Sequence, residues 1–267
     1  MNNALNGRSV IVTGAGRGIG AAMARALAQA GGRLAIADID AASATSVAEE
    51  IRASGGAAIA IGCDVSDRAQ VKAMIAAAVE AHGRLDVIFN NAGIAQTKPF
   101  LAITEADWQR VMDVNGLGVL IGMQEAVRQF QSQGKDATGF GGRIVNTASI
   151  AGKQGYEPLA HYCASKFAVV ALTQAAARAF GKDGISANCI CPGVVATDMW
   201  KLIDKGFKDE GLTQRENEAF EAFSAGILLG RASVADDLAG VAVFLASSAS
   251  DYMTGQSLVV DGGMVLV

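Results

Sequence analysis

Short, uninterrupted apolar runs alternate with helix-like stretches along nearly the whole chain, and this alternation constrains the fold more than any other feature. Residues 9–13, 34–38, 57–64, 87–90, 142–147, 185–190 and 257–260 read as strands. They lack polar–apolar alternation, so burial on both faces is expected. Residues 18–30, 41–53, 67–82, 105–131, 160–180 and 234–246 read as helices, the third opened by Asp67 as a cap. Strand–helix–strand repetition demands parallel pairing with right-handed crossovers. The expected fold is α/β, a doubly wound sheet of about seven parallel strands with helices on both faces, in a single domain over residues 1–267. A core of this size needs no metal or disulfide staple.

Sheets of this kind bind ligands where their strands end. The first strand runs into Gly14-Ala15-Gly16-Arg17-Gly18-Ile19-Gly20, and a helix follows at once. Glycine there lets the backbone turn and approach a pyrophosphate. The helix start offers free N–H groups and a positive dipole end. Because position 19 is Ile19, the spacing is Gly-x-x-x-Gly-x-Gly over Gly14, Gly18 and Gly20, a variant of the Rossmann-type dinucleotide fingerprint. The second strand ends at Asp38. A carboxylate there accepts hydrogen bonds from the adenosine ribose hydroxyls and repels a 2′-phosphate, which favours NAD over NADP. Arg17 pulls the other way, but the direct charge conflict at Asp38 outweighs it. At the third strand end, Asp64 and Val65 face the same region; Asp64 either holds the adenine amino group or is an ordinary loop acid. The fourth ends in Asn90-Asn91-Ala92-Gly93, small residues that suit a backbone pressed against a ribose.

Tyr162 and Lys166 stand i and i+4 on a helix and share one face. A phenol with a pKa of about 10 is a poor base at neutral pH. The neighbouring cation is expected to lower that value. The phenol would then take a proton from an alcohol or give one to a ketone oxygen. Ser149 follows a strand and is placed to donate to the same oxygen, with Thr147 as its local rival. Asn115 and Gly116 lie inside the long helix, where both are poor helix formers, so a local distortion is expected.

Thr13-Gly-x-x-x-Gly-x-Gly20, Asn90-Asn91-Ala92-Gly93, Tyr162-x-x-x-Lys166 and Pro192-Gly193 occur in this order. In that ordered set the chain resembles the short-chain dehydrogenase/reductases, from Gly7 to Gly263. The resemblance implies a catalytic tetrad of Asn115, Ser149, Tyr162 and Lys166, with Lys166 also reaching the nicotinamide ribose and Asn115 holding a relay water. It implies an NAD site built from Gly14, Arg17, Gly18, Ile19, Gly20, Asp38, Asp64, Val65, Asn91, Ala92, Gly93, Tyr162 and Lys166. Pro192, Gly193, Val195 and Thr197 would complete that site, the last two anchoring the carboxamide and so orienting the ring. It also implies a homotetramer in which the two long Ala- and Gly-rich helices pair.

The irregular segment 191–231 is expected to act as a lid. Ser149, Ile150, Tyr156, Tyr162, Met199 and Trp200 are the expected substrate contacts. Within the family, residues 197–204 and 251–257 look like those of the meso-2,3-butanediol (acetoin) and sorbitol-type polyol dehydrogenases. That similarity implies a vicinal diol, hydroxyketone or sugar alcohol. Ile150 stands where those enzymes tend to carry Gln, and Tyr156, Met199 and Trp200 are apolar or amphipathic, which leaves a less polar alcohol or ketone open. Gln154, Glu157 and His161 are further polar candidates. His161 points about 100° away from Tyr162 around the helix, so a surface or interface role is expected for it.

Net charge is −4 and Lys and Arg form no block, which argues against nucleic acid. The four cysteines show no C-x-x-C spacing; Cys189-x-Cys191 reads as buried thiols rather than a metal pair. No metal is expected. Residues 1–8 do not read as a signal peptide, and no apolar run reaches the roughly 18 residues of a membrane span. A cytoplasmic protein acting on a small-molecule alcohol or ketone is the expectation. Two other readings compete. A 3-oxoacyl-thioester reductase would prefer NADPH and a basic docking patch. A non-catalytic NAD(H)-binding sensor would lose Tyr or Lys from the tetrad. Asp38→Ala is expected to raise affinity for NADP relative to NAD by about tenfold or more, the size of one unit-charge interaction. A cofactor titration checks this, and a wild type that already prefers NADPH would refute the ribose assignment.

Overall fold

A computed structural model describes residues 3–136 and 138–266. The strands are β1 (Ser9–Thr13), β2 (Arg33–Asp38), β3 (Ala57–Gly62), β4 (Val87–Asn90), β5 (Gly142–Thr147), β6 (Ile185–Pro192) and β7 (Ser257–Val260). They form one parallel sheet in the order β3-β2-β1-β4-β5-β6-β7. Val10 pairs with both Leu34 and Val87, and Val87 with Arg143. The order reverses between β1 and β4, which opens a crevice at their carboxyl ends.

The helices are α1 (Gly18–Gln29), α2 (Ala41–Ala53), α3 (Arg68–His82), α4 (Glu105–Met112), α5 (Gly118–Gln133), α6 (Ala160–Phe180), α7 (Asp198–Asp209), α8 (Glu218–Ser224) and α9 (Ala239–Ala246). Alternate strand residues serve opposite faces, as the two-residue period of a strand requires. Val10, Val12, Leu34 and Ile36 pack against Met23, Leu27, Val47 and Val243 of α1, α2 and α9. Ile11, Ala35, Ile88 and Ile144 pack against Met74, Ile121, Phe130 and Val169 of α3, α5 and α6. Each fully buried Ile or Leu contributes about 1.5–3 kcal/mol. Layers on both sides explain why the strand runs are apolar throughout.

Three expectations need correction. The expected helix over 105–131 is two helices joined by a π-helical turn, Asp113–Leu117. Asn115 and Gly116 sit in that turn, where an extra residue per turn relieves the poor fit of both to an α-helix. The helix expected at 234 begins as a 3-10 turn, Ala235–Leu238, before α9. The strand expected over 57–64 ends at Gly62, leaving Asp64 in a turn. The caps follow their sequence signals. Asp40 accepts from the Ala42 and Ser43 amides, Asp67 from Ala69 and Gln70, and Thr104 with Asp107 forms a capping box on α4.

Thr13 ties the crevice together. Its hydroxyl donates to the Phe89 carbonyl and accepts from the Asn91 and Ala92 amides at 3.0 and 3.1 Å. Thr13→Val keeps the shape but leaves both amides without that acceptor. A loss of about 2–6 kcal/mol in unfolding free energy is expected, from about one to three per orphaned donor. The urea midpoint measures it; an unchanged midpoint would refute the role.

Candidate active site

The glycine loop leaves β1 with φ of +61° at Gly14 and +54° at Gly18, backbone that favours glycine. A Cβ on Gly14 would lie 2.7 Å from Ala92 Cα, so the loop and the end of β4 are in direct backbone contact. The N-cap of α1, Arg17, makes no capping bond, and the first turn holds no acid. Its amides and positive dipole end are therefore available to an anion. Gly18 faces Thr197 across this opening, with nothing closer to a Cβ there than Thr197 Cγ2 at 3.8 Å. Asp38 is buried at the end of β2, its two oxygens accepting from the Gly16 and Asp40 amides. Arg17 is exposed, close enough to Asp40 and Asp198 to stabilise both carboxylates.

These features fit a dinucleotide. The uncapped helix start suits a pyrophosphate, and Asp38 holds its carboxylate at the rim with lone pairs to spare. Gly93 makes the floor: a Cβ there would stand 3.2 Å from Asn115 Oδ1 and 3.5 Å from Lys166 Nζ. Ile19 is half-buried against the core and serves packing as well as the loop. Asp64 accepts from the Ser66 amide and hydroxyl, and Val65 packs where a Cβ on Gly118 would meet it at 2.8 Å. Asn91 turns its side chain inward. Nδ2 donates to the Thr13 and Gly14 carbonyls and Oδ1 accepts from Thr147, so only its backbone faces the crevice. The Gly193 amide donates to the Val260 carbonyl beyond Pro192, and Val195 forms a bridge with Ser233. Thr197 Oγ1 lies 3.3 Å from the Val195 carbonyl.

The four tetrad candidates converge beside this opening. Asn115 is fully buried; its side chain accepts from the Ile94 amide and donates to the Ile94 carbonyl and to Ser165 Oγ. Lys166 Nζ donates to the Thr147 carbonyl at 2.9 Å and stands 5.7 Å from the Tyr162 ring centre. Thr147 gives its hydroxyl to Asn91, which removes it as a rival to Ser149. Ser149 Oγ accepts from the Ala151 amide at 3.1 Å, so its hydrogen is free to donate. Ser149 is also near enough to the Tyr162 phenol to favour its ionised form.

The expected lowering of the Tyr162 pKa is not found. Burial pushes the phenol up to about 12, and the Ser149 hydrogen bond offsets only part of this. Burial also brings the Lys166 ammonium down to about 8. For both side chains the loss of hydration on burial outweighs the favourable contacts. Burial thus favours the protonated phenol at Tyr162.

The lid expected over 191–231 contains α7 and α8. Tyr156, Met199, Trp200 and Phe223 pack against Tyr162, Ala151, Cys163, Ile203 and Phe207. Phe223 sits edge-on to Trp200 at 5.3 Å and 5.6 Å from Tyr156. Ile150 is buried in the 3-10 turn after Ser149 but lies outside this aromatic group. The polar candidates are engaged elsewhere: Gln154 donates to Tyr156 Oη, Glu157 accepts from the Phe100 amide, and His161 meets Gln96 at 3.4 Å. His161 is 1 % exposed, which corrects the expected surface role. It faces inward because α6 is covered by α4 on that side, where Asp107 and Arg110 bear on its charge. Phe220, Phe223 and Asp204 lie within the segment expected to supply the substrate wall, but the sequence did not single them out. The signal was there in the i, i+3 spacing of the two phenylalanines. The cysteines are buried free thiols, and among the described residues no group of three metal-ligating side chains gathers. No helix among them is long and apolar enough to cross a membrane.

The fold and the converging residues define an oxidoreductase scaffold, and the chain belongs to the short-chain dehydrogenase/reductase family. Residues 14–265 match the family model described as "Enoyl-(Acyl carrier protein) reductase". The chain is 44 % identical to a galactitol 2-dehydrogenase of Agrobacterium fabrum, covering 97 % of this chain and 98 % of that one. It is 43 % identical to an L-2,3-butanediol dehydrogenase of Corynebacterium glutamicum, covering 96 % and 97 %. Among solved structures, a short-chain type dehydrogenase/reductase from Mycobacterium marinum superposes with a TM-score of 0.87 at 34 % identity, covering 98 % of this chain and 96 % of that one.

The lowered Lys166 value has a consequence for stability. Between pH 8 and 10.5 the unfolded lysine holds a proton that the folded one has released, so stability rises with pH in that window. Wild type should therefore gain on Lys166→Met by up to about 3 kcal/mol across it. Paired urea melts at pH 7.5 and 10 test this; a constant gap between the two proteins would refute it.

Proposed function

We propose that the chain is an NAD-dependent dehydrogenase/reductase acting at the secondary carbinol or ketone carbon of a small vicinal diol, hydroxyketone or polyol. The observation that carries this is the buried Tyr162 phenol set beside Lys166, with the Ser149 hydroxyl nearby, at the open end of the sheet. A bound nicotinamide supplies the hydride donor or acceptor. The chain's own groups manage the proton. In reduction the phenol gives its proton to the oxygen as charge develops, while the Ser149 hydroxyl donates to that same oxygen. Lys166 and the Asn115 turn lie behind Tyr162, a route by which the proton is restored. In oxidation the same oxygen atoms work in reverse, a direction that higher pH favours.

Asp38 supports NAD over NADP, since a 2′-phosphate would meet a buried carboxylate. The galactitol and butanediol relatives support the substrate class. A 3-oxoacyl-thioester reductase is the second reading, favoured by the acyl-carrier-protein reductase family to which residues 14–265 match; Asp38 argues against its NADPH. The retention of all four tetrad residues argues against a non-catalytic sensor. A homotetramer is part of the proposal. Trp108, Leu117 and Phe167 lie exposed on α4, the π turn and α6, the helices expected to pair.

Assaying acetoin, 2,3-butanediol, sorbitol, galactitol and an acetoacetyl thioester with NAD(H) and NADP(H), by absorbance at 340 nm, separates these readings. Tyr162→Phe is expected to lower turnover by about 10²–10⁴-fold while leaving NADH affinity nearly unchanged. Normal turnover in that variant would overturn the proton-transfer role.

A further inference from the structure

We propose that Asp204 is a positioning residue that sets substrate affinity by fixing the aromatic wall over Tyr162. The inference rests on the reading of Tyr162 as the proton donor. Asp204 lies on the inward side of α7 between Ile203 and Phe207, 5 % exposed. A carboxylate there needs partners to offset its lost hydration. It finds them on the next helix: Oδ2 accepts from the Asn217 amide at 2.6 Å and Oδ1 from the Phe220 amide at 3.1 Å.

Those amides belong to the first turn of α8. Its N-cap, Asn217, has a φ of +62° and makes no capping bond with its own side chain. A helix of seven residues does not persist alone in water. Asp204 thus supplies from α7 the cap that α8 lacks locally. The other polar ties around α8 are exposed. Glu218 accepts from the Gln214 and Arg215 amides, Arg215 pairs with Glu221, and Lys208 pairs with Glu216. Exposed pairs contribute about 0–1 kcal/mol each. Asp204 is the buried polar link between the two lid helices.

What α8 carries explains the consequence. Phe220 lies 5.8 Å from Trp200, and Phe223 touches Trp200, Tyr156 and Phe207 with ring centres 5.3 to 5.9 Å apart. Tyr156, Trp200, Phe207 and Phe223 belong to the same apolar cluster as Tyr162. It presents carbon faces to the substrate flank beside the reacting carbon. The register of α8 therefore governs how a substrate with an alkyl flank is held, and the glycine-loop cradle is independent of it.

The test uses a Trp108→Phe background, which leaves Trp200 as the single tryptophan. Asp204→Ala should raise the KM for acetoin by about tenfold or more while kcat stays within about threefold and NADH affinity is unchanged, about a 1.4 kcal/mol loss of binding. Trp200 emission should shift to the red and quench more readily with acrylamide. Asp204→Asn, which keeps one acceptor oxygen, should fall between the two. Wild-type KM and quenching in Asp204→Ala would overturn the proposal, as would an equal loss of NADH affinity. Should Asp204→Ala not fold, Asp204→Asn decides by the same readouts. Should the parent protein turn over no secondary alcohol, the proposed function fails, and Trp200 quenching with NADH affinity still decides on Asp204.

Discussion

Two strands that are distant in sequence meet at the point where the sheet order reverses, and Thr13 and Asn91 bind their ends together. Thr13 receives the Asn91 and Ala92 amides, and Asn91 returns its side-chain amide to the Thr13 and Gly14 carbonyls. The Asn91 oxygen then accepts from Thr147 at the end of β5. The Thr147 carbonyl in turn receives Lys166. One continuous set of hydrogen bonds thus runs from the glycine loop to the tetrad lysine. The backbones approach so closely that a Cβ on Gly14 or on Gly20 would collide with main-chain atoms. The glycine loop and the Tyr162–Lys166 pair, built on separate elements, are held in one frame by this arrangement.

Burial sets the chemistry of that frame. Tyr162 and Lys166 are almost wholly enclosed, and both shift toward their neutral forms as a result. A phenol kept protonated is a ready acid for ketone reduction. The aromatic residues of α7 and α8 belong to the same apolar cluster as Tyr162, which keeps its surroundings poor in water. The cost is a lysine held away from water with one carbonyl partner. Functional sites often carry strain of this kind, maintained by the packing around them.

The strand pattern, the glycine loop, Asp38 and the Tyr162–Lys166 pair were legible in the sequence. Each depends on local spacing or on a residue type with few other uses at a strand end. The distortion at Asn115 was legible too, because Asn and Gly disagree with a helix interior, although its π form was not. The burial of His161 and the capping of α8 by Asp204 were not legible. Both depend on which face of a helix another helix covers, which the spacing within one segment does not show.

The sequence by itself determined a parallel α/β sheet, the glycine loop at its first strand end and the placing of Tyr162 and Lys166 one turn apart on one helix, because these follow from periodicity and spacing within short segments. The tertiary structure decided the burial of Tyr162 and Lys166, the inward turn of Asn91 and the composition of the apolar cluster around Tyr162. Those properties arise from desolvation and from contacts between segments far apart in the chain, and neither is encoded in any single stretch of residues.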